Sequence, residues 1–137
     1  MNNFKHKDEW QQKSNKFNVT VSRHEVMHSP LSSFEPSGVH RWAVYAYIFP
    51  VHRLFEQFND TDSFYQDVCT AMPLHSGPSY LRRHRGDSGE VTCYQVGADY
   101  NHLHDNSFTF MATAEEAYEV FRDAQALFDY LSDPVSE

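Results

Sequence analysis

Hydrophobic and polar positions alternate in an early segment of the chain, as they do in β-strands. Phe17, Val19 and Val21 are separated by polar residues, which is the period of a strand with one buried face. If residues 40–49 form a strand, both of its faces are apolar, which indicates a central strand. Residues 29–38 contain two prolines and a glycine, so they are predicted to form the loop between these strands.

The middle of the chain combines a helical pattern with a hairpin pattern. Residues 51–72 are predicted to be helical, in two pieces that meet near Asn59. Residues 80–85 and 90–100 are predicted strands, joined at residues 86–89 by a turn in which two glycines supply the positive φ that tight turns need. The predicted buried stripe of the helical segment comprises Leu54, Phe55, Phe58, Phe64, Val68 and Met72.

The chain closes with a short strand and an amphipathic helix. The strand is predicted over residues 107–112. Thr113 and Glu116 then form the S/T-x-x-E capping box that begins a helix. The helix is predicted over about residues 113–132 and ends before Pro134. Its predicted buried stripe comprises Ala117, Phe121, Ala124, Phe128 and Leu131.

The element order predicted from these patterns is ββαβββα. An α+β fold follows, with an antiparallel sheet of about five strands and two helices packed on one face. Residues 1–16 are polar and of mixed charge, so they are predicted to form a flexible arm, or a short helix that docks late, and to tolerate truncation unless Trp10 packs on something. Residues 17–137 are predicted to form a single domain, since their length is typical of one core.

Charge is distributed unevenly along the chain. The formal net charge is −8. Residues 1–89 hold 10 basic and 9 acidic side chains, whereas residues 90–137 hold 1 basic and 10 acidic side chains. Such asymmetry indicates a binding partner for the acidic part. Direct nucleic-acid binding is not expected, because contact with phosphates depends on Lys and Arg.

The expected location is the cytoplasm. The sequence has no apolar run long enough to span a bilayer, and its first residues lack the apolar stretch of a signal peptide. Cys69 and Cys93 form no CxxC motif, so they are expected to be free, buried thiols in a reducing compartment.

The densest polar segment of the chain, residues 97–106, contains a candidate metal site. His102 and His104 would point to the same side of an extended segment, where Zn or another divalent transition metal could bind. The alternative is a turn in which these side chains hydrogen-bond locally. The candidate ligands are His102, His104 and Asp99 or Asp105, with His75 or His84 arriving from neighbouring segments.

A second histidine motif, residues 24–28, spells H-E-x-x-H. Zinc hydrolysis requires this motif on a helix, so that the two histidines converge on one ion. Here it follows an alternating strand pattern, and Pro30 disfavours a helix at Ser29. We therefore expect no metalloprotease site at these residues.

Arginines are concentrated in the predicted hairpin. Arg82, Arg83 and Arg85 could grip the phosphates of an anionic nucleotide, since arginine forks bind such groups with two hydrogen bonds. The alternative is that they pair with the acidic carboxyl-terminal third.

Carboxylates are concentrated on the last helix. Glu115, Glu116, Glu119 and Asp123 are the candidate partner-binding residues, since regularly spaced carboxylates can occupy a basic groove on another protein. The alternative is an ordinary solvated face.

Residues 76–131 carry a family resemblance. The stretch from Ser76-Gly77-Pro78 through Val96-Gly97-Ala98-Asp99-Tyr100-Asn101-His102 to the closing helix resembles segments of small uncharacterised proteins of bacteriophages and other mobile elements. Those proteins share a G-x-D-x-x-H turn before a strand and a last helix. The resemblance implies an accessory role, such as modulating or inhibiting a host protein in the host cytoplasm. It assigns no catalytic residue.

Three functional hypotheses follow from the sequence. The first is a non-enzymatic interaction protein that binds a host protein through its acidic face and exposed aromatics such as Tyr45, Tyr47 and Tyr100. The second is a metal-dependent hydrolase built on His102 and His104. The third is a protein that sequesters an anionic nucleotide at the arginine hairpin. An aromatic-rich sheet that exposes an apolar patch would also favour a homodimer.

Overall fold

The computed structural model describes residues 8–26, 38–58, 68–100 and 105–132. Its strands are β1 (Asp8–Lys13), β2 (Phe17–Glu25), β3 (His40–Ile48), β4 (Tyr80–Arg85) and β5 (Val91–Asp99), and its α-helix is α1 (Tyr118–Ser132). Three short 3-10 helices span Phe55–Gln57, Val68–Ala71 and Asn106–Phe110. No helix in these ranges has the length and apolar character that a membrane crossing requires.

The five strands form one antiparallel sheet in the order β1-β2-β3-β5-β4. The α+β class predicted from the sequence is therefore confirmed. The turn predicted over residues 86–89 joins β4 to β5, but of its two glycines only Gly89 has the expected positive φ, and Gly86 does not. β1 and β4 are the two edges of the sheet, so each has one side without a neighbouring strand among the described residues.

The core lies between one face of the sheet and α1, which packs on β2 and β3. Strand register places Phe17 opposite Ile48 and Val21 opposite Val44, so the apolar positions of neighbouring strands share this face. The innermost side chains of the core, each less than 3% exposed, include Phe17, Trp42, Ile48, Val96, Val120, Leu127 and Leu131.

The predicted capping box forms in the turn before α1, so the helix begins at Tyr118 instead of at about residue 113. The Glu116 backbone N–H donates to Thr113 Oγ1 at 3.1 Å, and Glu116 Oε1 accepts from the Ala112 and Thr113 backbone N–H groups. The predicted stripe is confirmed in outline, although Phe121 and Phe128 are only partly buried. Val120 and Leu127 occupy the centre of the contact instead.

The helix predicted over residues 51–72 is corrected by the structure. Its described parts contain only the 3-10 helices Phe55–Gln57 and Val68–Ala71, so one described helix packs on the sheet instead of two. The His52 side chain explains part of the difference, because its Nδ1 accepts the Leu54 backbone N–H at 3.0 Å and redirects the chain. The predicted break near Asn59 and the predicted stripe residue Phe64 lie outside the described residues.

The strand predicted over residues 107–112 is also corrected. Residues Asn106–Phe110 form a 3-10 helix. Thr109 Oγ1 donates to the Asn106 carbonyl at 2.6 Å and accepts the Gly38 backbone N–H at 2.8 Å. These side-chain bonds replace the ladder that a strand would need.

Residues 8–13 fall within the predicted arm but form the edge strand β1. Trp10 stacks on Trp42 with 5.6 Å between ring centroids, and Phe121 meets Trp10 edge-on. Asp8 accepts a hydrogen bond from Arg23 of β2. The arm prediction is therefore corrected for these residues, while residues 1–7 lie outside the described part of the chain. The sheet has five strands as predicted, because β1 takes the place of the strand predicted over residues 107–112.

Candidate functional site

The outward face of α1 carries carboxylates around one exposed aromatic ring. Glu119, Arg122, Ala126 and Asp129 share a face of α1 at helical spacing, and Glu115 continues the row in the turn before the helix. Tyr118 lies beside this row and is 61% exposed. None of Glu115, Glu119 and Asp129 forms an ion pair with another residue that the structure describes. We call Glu115, Tyr118, Glu119 and Asp129 the acidic face.

Two of the predicted partner-binding carboxylates have structural roles instead. Glu116 caps the helix, and its bonds to the Ala112 and Thr113 backbone N–H groups lower the pKa of its carboxyl. Asp123 accepts a hydrogen bond from the Tyr100 hydroxyl at 2.5 Å. Burial first, and this contact second, raise the pKa of Tyr100. The capping-box spacing indicated the first role, whereas the second depends on a tertiary contact.

The arginines of the hairpin do not converge on one point. Arg82 and Arg83 are neighbours on β4, so they point to opposite faces of the sheet. Arg83 lies over the Tyr94 ring, with its guanidinium carbon 5.7 Å from the centroid. Arg85 donates to the Gly89 carbonyl at 2.9 Å within the turn. The three guanidinium groups are thus directed to three different surroundings.

The acidic face and the arginine hairpin lie on different sides of the molecule. Helix α1 covers β2 and β3, whereas β4 is the far edge of the sheet. Neither Arg82 nor Arg85 forms an ion pair with a carboxylate of α1 within the described ranges. The charge asymmetry along the sequence is therefore also an asymmetry in space.

The predicted metal site falls largely outside the described residues, since His102 and His104 are not among them. Asp99 is the last residue of β5. In the parts of the chain that the structure describes, no group of three His, Cys, Asp or Glu side chains is placed to hold a metal ion. Of the two histidines considered as additional ligands, His84 donates to Gln95 Oε1 at 2.8 Å on β5.

The other histidine, His75, lies against Asp105; the sequence analysis considered both as ligands of one metal site, and the structure brings them together as a pair. His75 Nε2 donates to both carboxylate oxygens of Asp105, at 2.9 and 3.0 Å. The imidazole stacks on Tyr100 with 4.2 Å between centroids. Asp105 is only 5% exposed. The pair ties together two segments that are distant along the chain. The partners are 30 residues apart, so no local pattern indicated the contact.

The H-E-x-x-H letters begin on a strand, as expected. His24 and Glu25 are the last two residues of β2 and pair with Arg41 and His40 of β3. The second histidine, His28, lies outside the described residues. A strand turns His24 and Glu25 to opposite faces, which is not the helical arrangement that the zinc motif requires.

The aromatic side chains named as exposed in the sequence analysis have different environments. Tyr100 is 1% exposed, so it is a core residue. Tyr45 and Tyr47 are half-buried on the sheet face opposite α1. The Tyr45 ring lies over Gly97 and meets Tyr80 edge-on at 5.4 Å. Burial raises the pKa of both Tyr45 and Tyr47.

The two cysteines are free thiols, in agreement with the sequence analysis. Cys69 is fully buried beside the core, and Cys93 is half-buried on β5. Burial raises the pKa of the Cys93 thiol. A raised pKa disfavours the thiolate, which is the reactive form.

Comparison with known proteins gives no relative, since no family model, no curated protein and no solved structure matches the chain.

Proposed function

We propose that this protein is a non-enzymatic interaction protein that binds a basic surface of another protein through the acidic face of α1. One observation carries the proposal. Glu115, in the turn before α1, and Glu119 and Asp129 on α1 form no ion pair among the described residues; Arg122 is the one basic residue of their row, and the arginines of the hairpin occupy the far side of the sheet. A partner with a basic groove would neutralise these carboxylates.

Tyr118 supports the same surface. An exposed tyrosine between carboxylates offers a large ring at low entropic cost, with a hydroxyl for hydrogen bonding. Its flanking residues Glu115 and Glu119 would steer a basic partner toward it and accelerate the encounter. The ring would then supply apolar contact at the centre of the interface.

The resemblance to proteins of bacteriophages and other mobile elements suggests which partner to seek. We propose a protein of the host cell, and we propose that binding inhibits or modulates it. The resemblance of residues 76–131 is the support for this part of the proposal.

The test compares two variants of equal charge in capture from a bacterial lysate. The first carries Glu115→Gln and Glu119→Gln. The matched control carries Glu56→Gln and Asp87→Asn, which remove two exposed carboxylates away from α1. Each captured protein is purified and its binding to all three forms is measured by calorimetry at two salt concentrations. We expect the α1 variant to bind the true partner with at least tenfold lower affinity, and the control variant to bind it with unchanged affinity.

A second variant tests the ring. Tyr118→Ser should lower the affinity for the same partner with little change in the salt dependence of binding, because it removes apolar contact and no charge. The proposal is wrong if every purified binder has the same affinity for the wild type, the α1 variant and the control. It is also wrong if the α1 and control variants weaken binding equally, since net charge alone would then explain the loss.

A further inference from the structure

The sheet face opposite α1 carries aromatic rings that lie outside the core. Directly opposed residues of an antiparallel sheet project from the same face, and the register of β3, β4 and β5 places Tyr45, Tyr47 and Tyr80 together on this one. Tyr45 meets Tyr80 edge-on, and the rings of Tyr47 and His84 lie 6.4 Å apart. We call Tyr45, Tyr47, Tyr80 and His84 the tyrosine face.

The tyrosine rings of this face are open to solvent. The Tyr45 ring lies over Gly97, so one of its π faces rests on the sheet and the other points away from it. The hydroxyls of the three tyrosines form no hydrogen bond with another described residue. Arg23 Nε is the one buried side-chain donor or acceptor without a partner in the described ranges, so these hydroxyls reach the surface.

Two cations lie at the ends of one row across the same face. From β1 to β4 the row comprises Lys13, Asn18, Tyr47, Gln95 and Arg82. Lys13 and Arg82 are exposed, and neither forms an ion pair with another residue that the structure describes. Neighbouring strands lie about 4.8 Å apart, so the ends of the row are about 19 Å apart. A ligand that contacts both cations must therefore carry more than one anionic group.

The carboxylates of this face lie away from the two cations. Glu9 and Asp99 belong to a different row, four residues further along the strands, which is a distance of about 13 Å. Both already interact with other groups of the chain. The row that contains Tyr45 and Tyr80 lies between the cationic row and the acidic row.

We propose that the tyrosine face binds single-stranded RNA, with bases stacked on the tyrosine rings and phosphates at Lys13 and Arg82. Aromatic side chains that stack on bases, together with cations that contact the backbone, are how sheet surfaces hold single strands. The separation of the cations fits several nucleotides and exceeds the reach of one phosphate. This site is independent of the acidic face and of the partner proposed for it.

The acidity of the chain is compatible with this site. A net charge of −8 disfavours extended contact with phosphates, which depends on many Lys and Arg side chains. Stacking would instead supply most of the affinity here, with two phosphate contacts added. The carboxylates of α1 lie on the other side of the sheet, away from the bound strand.

The tyrosine hydroxyls favour RNA over DNA. Each of these hydroxyls can donate and accept a hydrogen bond, and none has a partner among the described residues. The ribose 2′-hydroxyl also donates and accepts, and it is the group that distinguishes RNA from DNA. A strand stacked on the rings would bring its ribose groups close to the tyrosine hydroxyls.

Fluorescence anisotropy of a labelled uridine decamer tests the stacking contacts with the full chain at low salt concentration. Tyr47→Leu and Tyr80→Leu should each lower the affinity about tenfold, because a base loses its stacking partner. Tyr118→Leu is the matched control, since it removes an exposed ring on α1, and it should leave the affinity unchanged. Circular dichroism and the urea midpoint of each variant monitor the fold.

The salt dependence of the same binding tests the phosphate contacts. For a single strand held at two phosphates, the slope of log K against log salt concentration should be about −1.4, and Arg82→Gln should reduce its magnitude by about 0.7. Arg122→Gln on α1 changes the net charge equally and should leave the slope unchanged.

A deoxyuridine decamer tests the preference for RNA, because it lacks only the 2′-hydroxyls. It should bind at least about threefold more weakly than the uridine decamer. The double variant Tyr47→Phe with Tyr80→Phe keeps both rings, so its affinity for the DNA should be unchanged while its affinity for the RNA falls toward that value.

Four results would overturn the proposal. The first is a folded wild type that shows no saturable binding of the uridine decamer. The second is an equal loss of affinity in the Tyr80→Leu and Tyr118→Leu variants. The third is an RNA duplex that competes as well as the single strand, since its bases cannot stack on the rings. The fourth is equal affinity for the RNA and DNA decamers.

Discussion

The two edges of the sheet are secured in different ways. β1 is anchored by one aromatic side chain, since Trp10 stacks on Trp42 and contacts Phe121 of α1. β4 has no described helix over it; its Leu81 packs against the core, and its Tyr80 meets Tyr45 edge-on. The first edge is therefore held by stacked aromatic rings, whereas the second is held by one aliphatic side chain and by contacts with neighbouring strands.

The comparison teaches how a polar strand can be held in a sheet. β1 has only one large apolar residue, and pairing with β2 alone would leave it marginally stable. Trp10 and the Asp8–Arg23 pair couple it to α1 and to the loop before α1, because Arg23 also donates to the Ala112 carbonyl at 2.7 Å. β4 is joined to the core by Leu81, which is partly buried against it.

The largest expected effect is on the β1 edge. Trp10→Ala should lower the free energy of unfolding by about 3 kcal/mol, because it removes a large ring from contact with the core. Tyr80→Ala, the corresponding truncation on β4, should cost about 1 kcal/mol, because Tyr80 touches one ring at the surface. Urea unfolding followed by circular dichroism measures both. Equal losses would show that the edges are anchored alike.

On the β4 side of the sheet, stability should be sensitive to a substitution at Gly97 of β5. Gly97 lies beneath the Tyr45 ring, and a Cβ there would lie 2.7 Å from ring Cε1 and 2.8 Å from the Val44 carbonyl oxygen. Gly97→Ala should therefore destabilise the protein by about 2 kcal/mol. The double variant Gly97→Ala with Tyr45→Ala should recover part of this loss, since the ring is the obstacle. If the two losses simply add, the ring is not what excludes the Cβ.

The smallest expected effect is a pH dependence on the α1 side. His52 is 4% exposed; its Nδ1 accepts the Leu54 N–H, and its Nε2 donates to the Leu131 carbonyl at 2.8 Å. Burial, with a smaller contribution from Arg53 and Lys16, lowers its pKa below the usual 6.5. The unfolded chain therefore binds more protons than the folded chain just below that pH.

Stability from the neutral His52 should be complete above pH 6.5 and lost progressively as the pH falls below it. His52→Gln is the matched variant, because an amide can accept and donate at the same two places without titrating. Urea midpoints should be similar for the two proteins at neutral pH and should separate as the pH falls, with the wild type becoming the less stable. Parallel curves would contradict the assigned role of His52.

Much of the fold could be predicted from the sequence where local patterns decide it. The alternation from Phe17, the two-glycine turn and the Thr113–Glu116 capping box are local signals, and each element they predict is present. β1 gave no such signal, because one tryptophan in a polar hexapeptide has no period. Residues 107–112 alternate like a strand, but side-chain bonds of Thr109 close a 3-10 helix instead.

The candidate site likewise has features that local patterns predict and features that depend on tertiary contacts. The outward position of Glu115 and Glu119 follows from the helical period once the buried stripe is known. The contact of Asp123 with Tyr100 could not be predicted, since it joins residues more than twenty positions apart, whereas Asp105 and His75 were expected near each other only as metal ligands and not as a pair. Such contacts depend on how loops meet across the fold, which spacing along the chain does not encode.

The stacking of Trp10 on Trp42 has a spectroscopic consequence. The chain contains only two tryptophans, and they lie 5.6 Å apart with ring planes inclined by 19°. Indole absorption and emission therefore report on a single place in the molecule, the junction between the β1 edge and the core. Two rings this close interact electronically, so their near-ultraviolet dichroism should carry the signature of a coupled pair. Loss of that signature would record the detachment of β1, while the amide signal records the rest of the sheet.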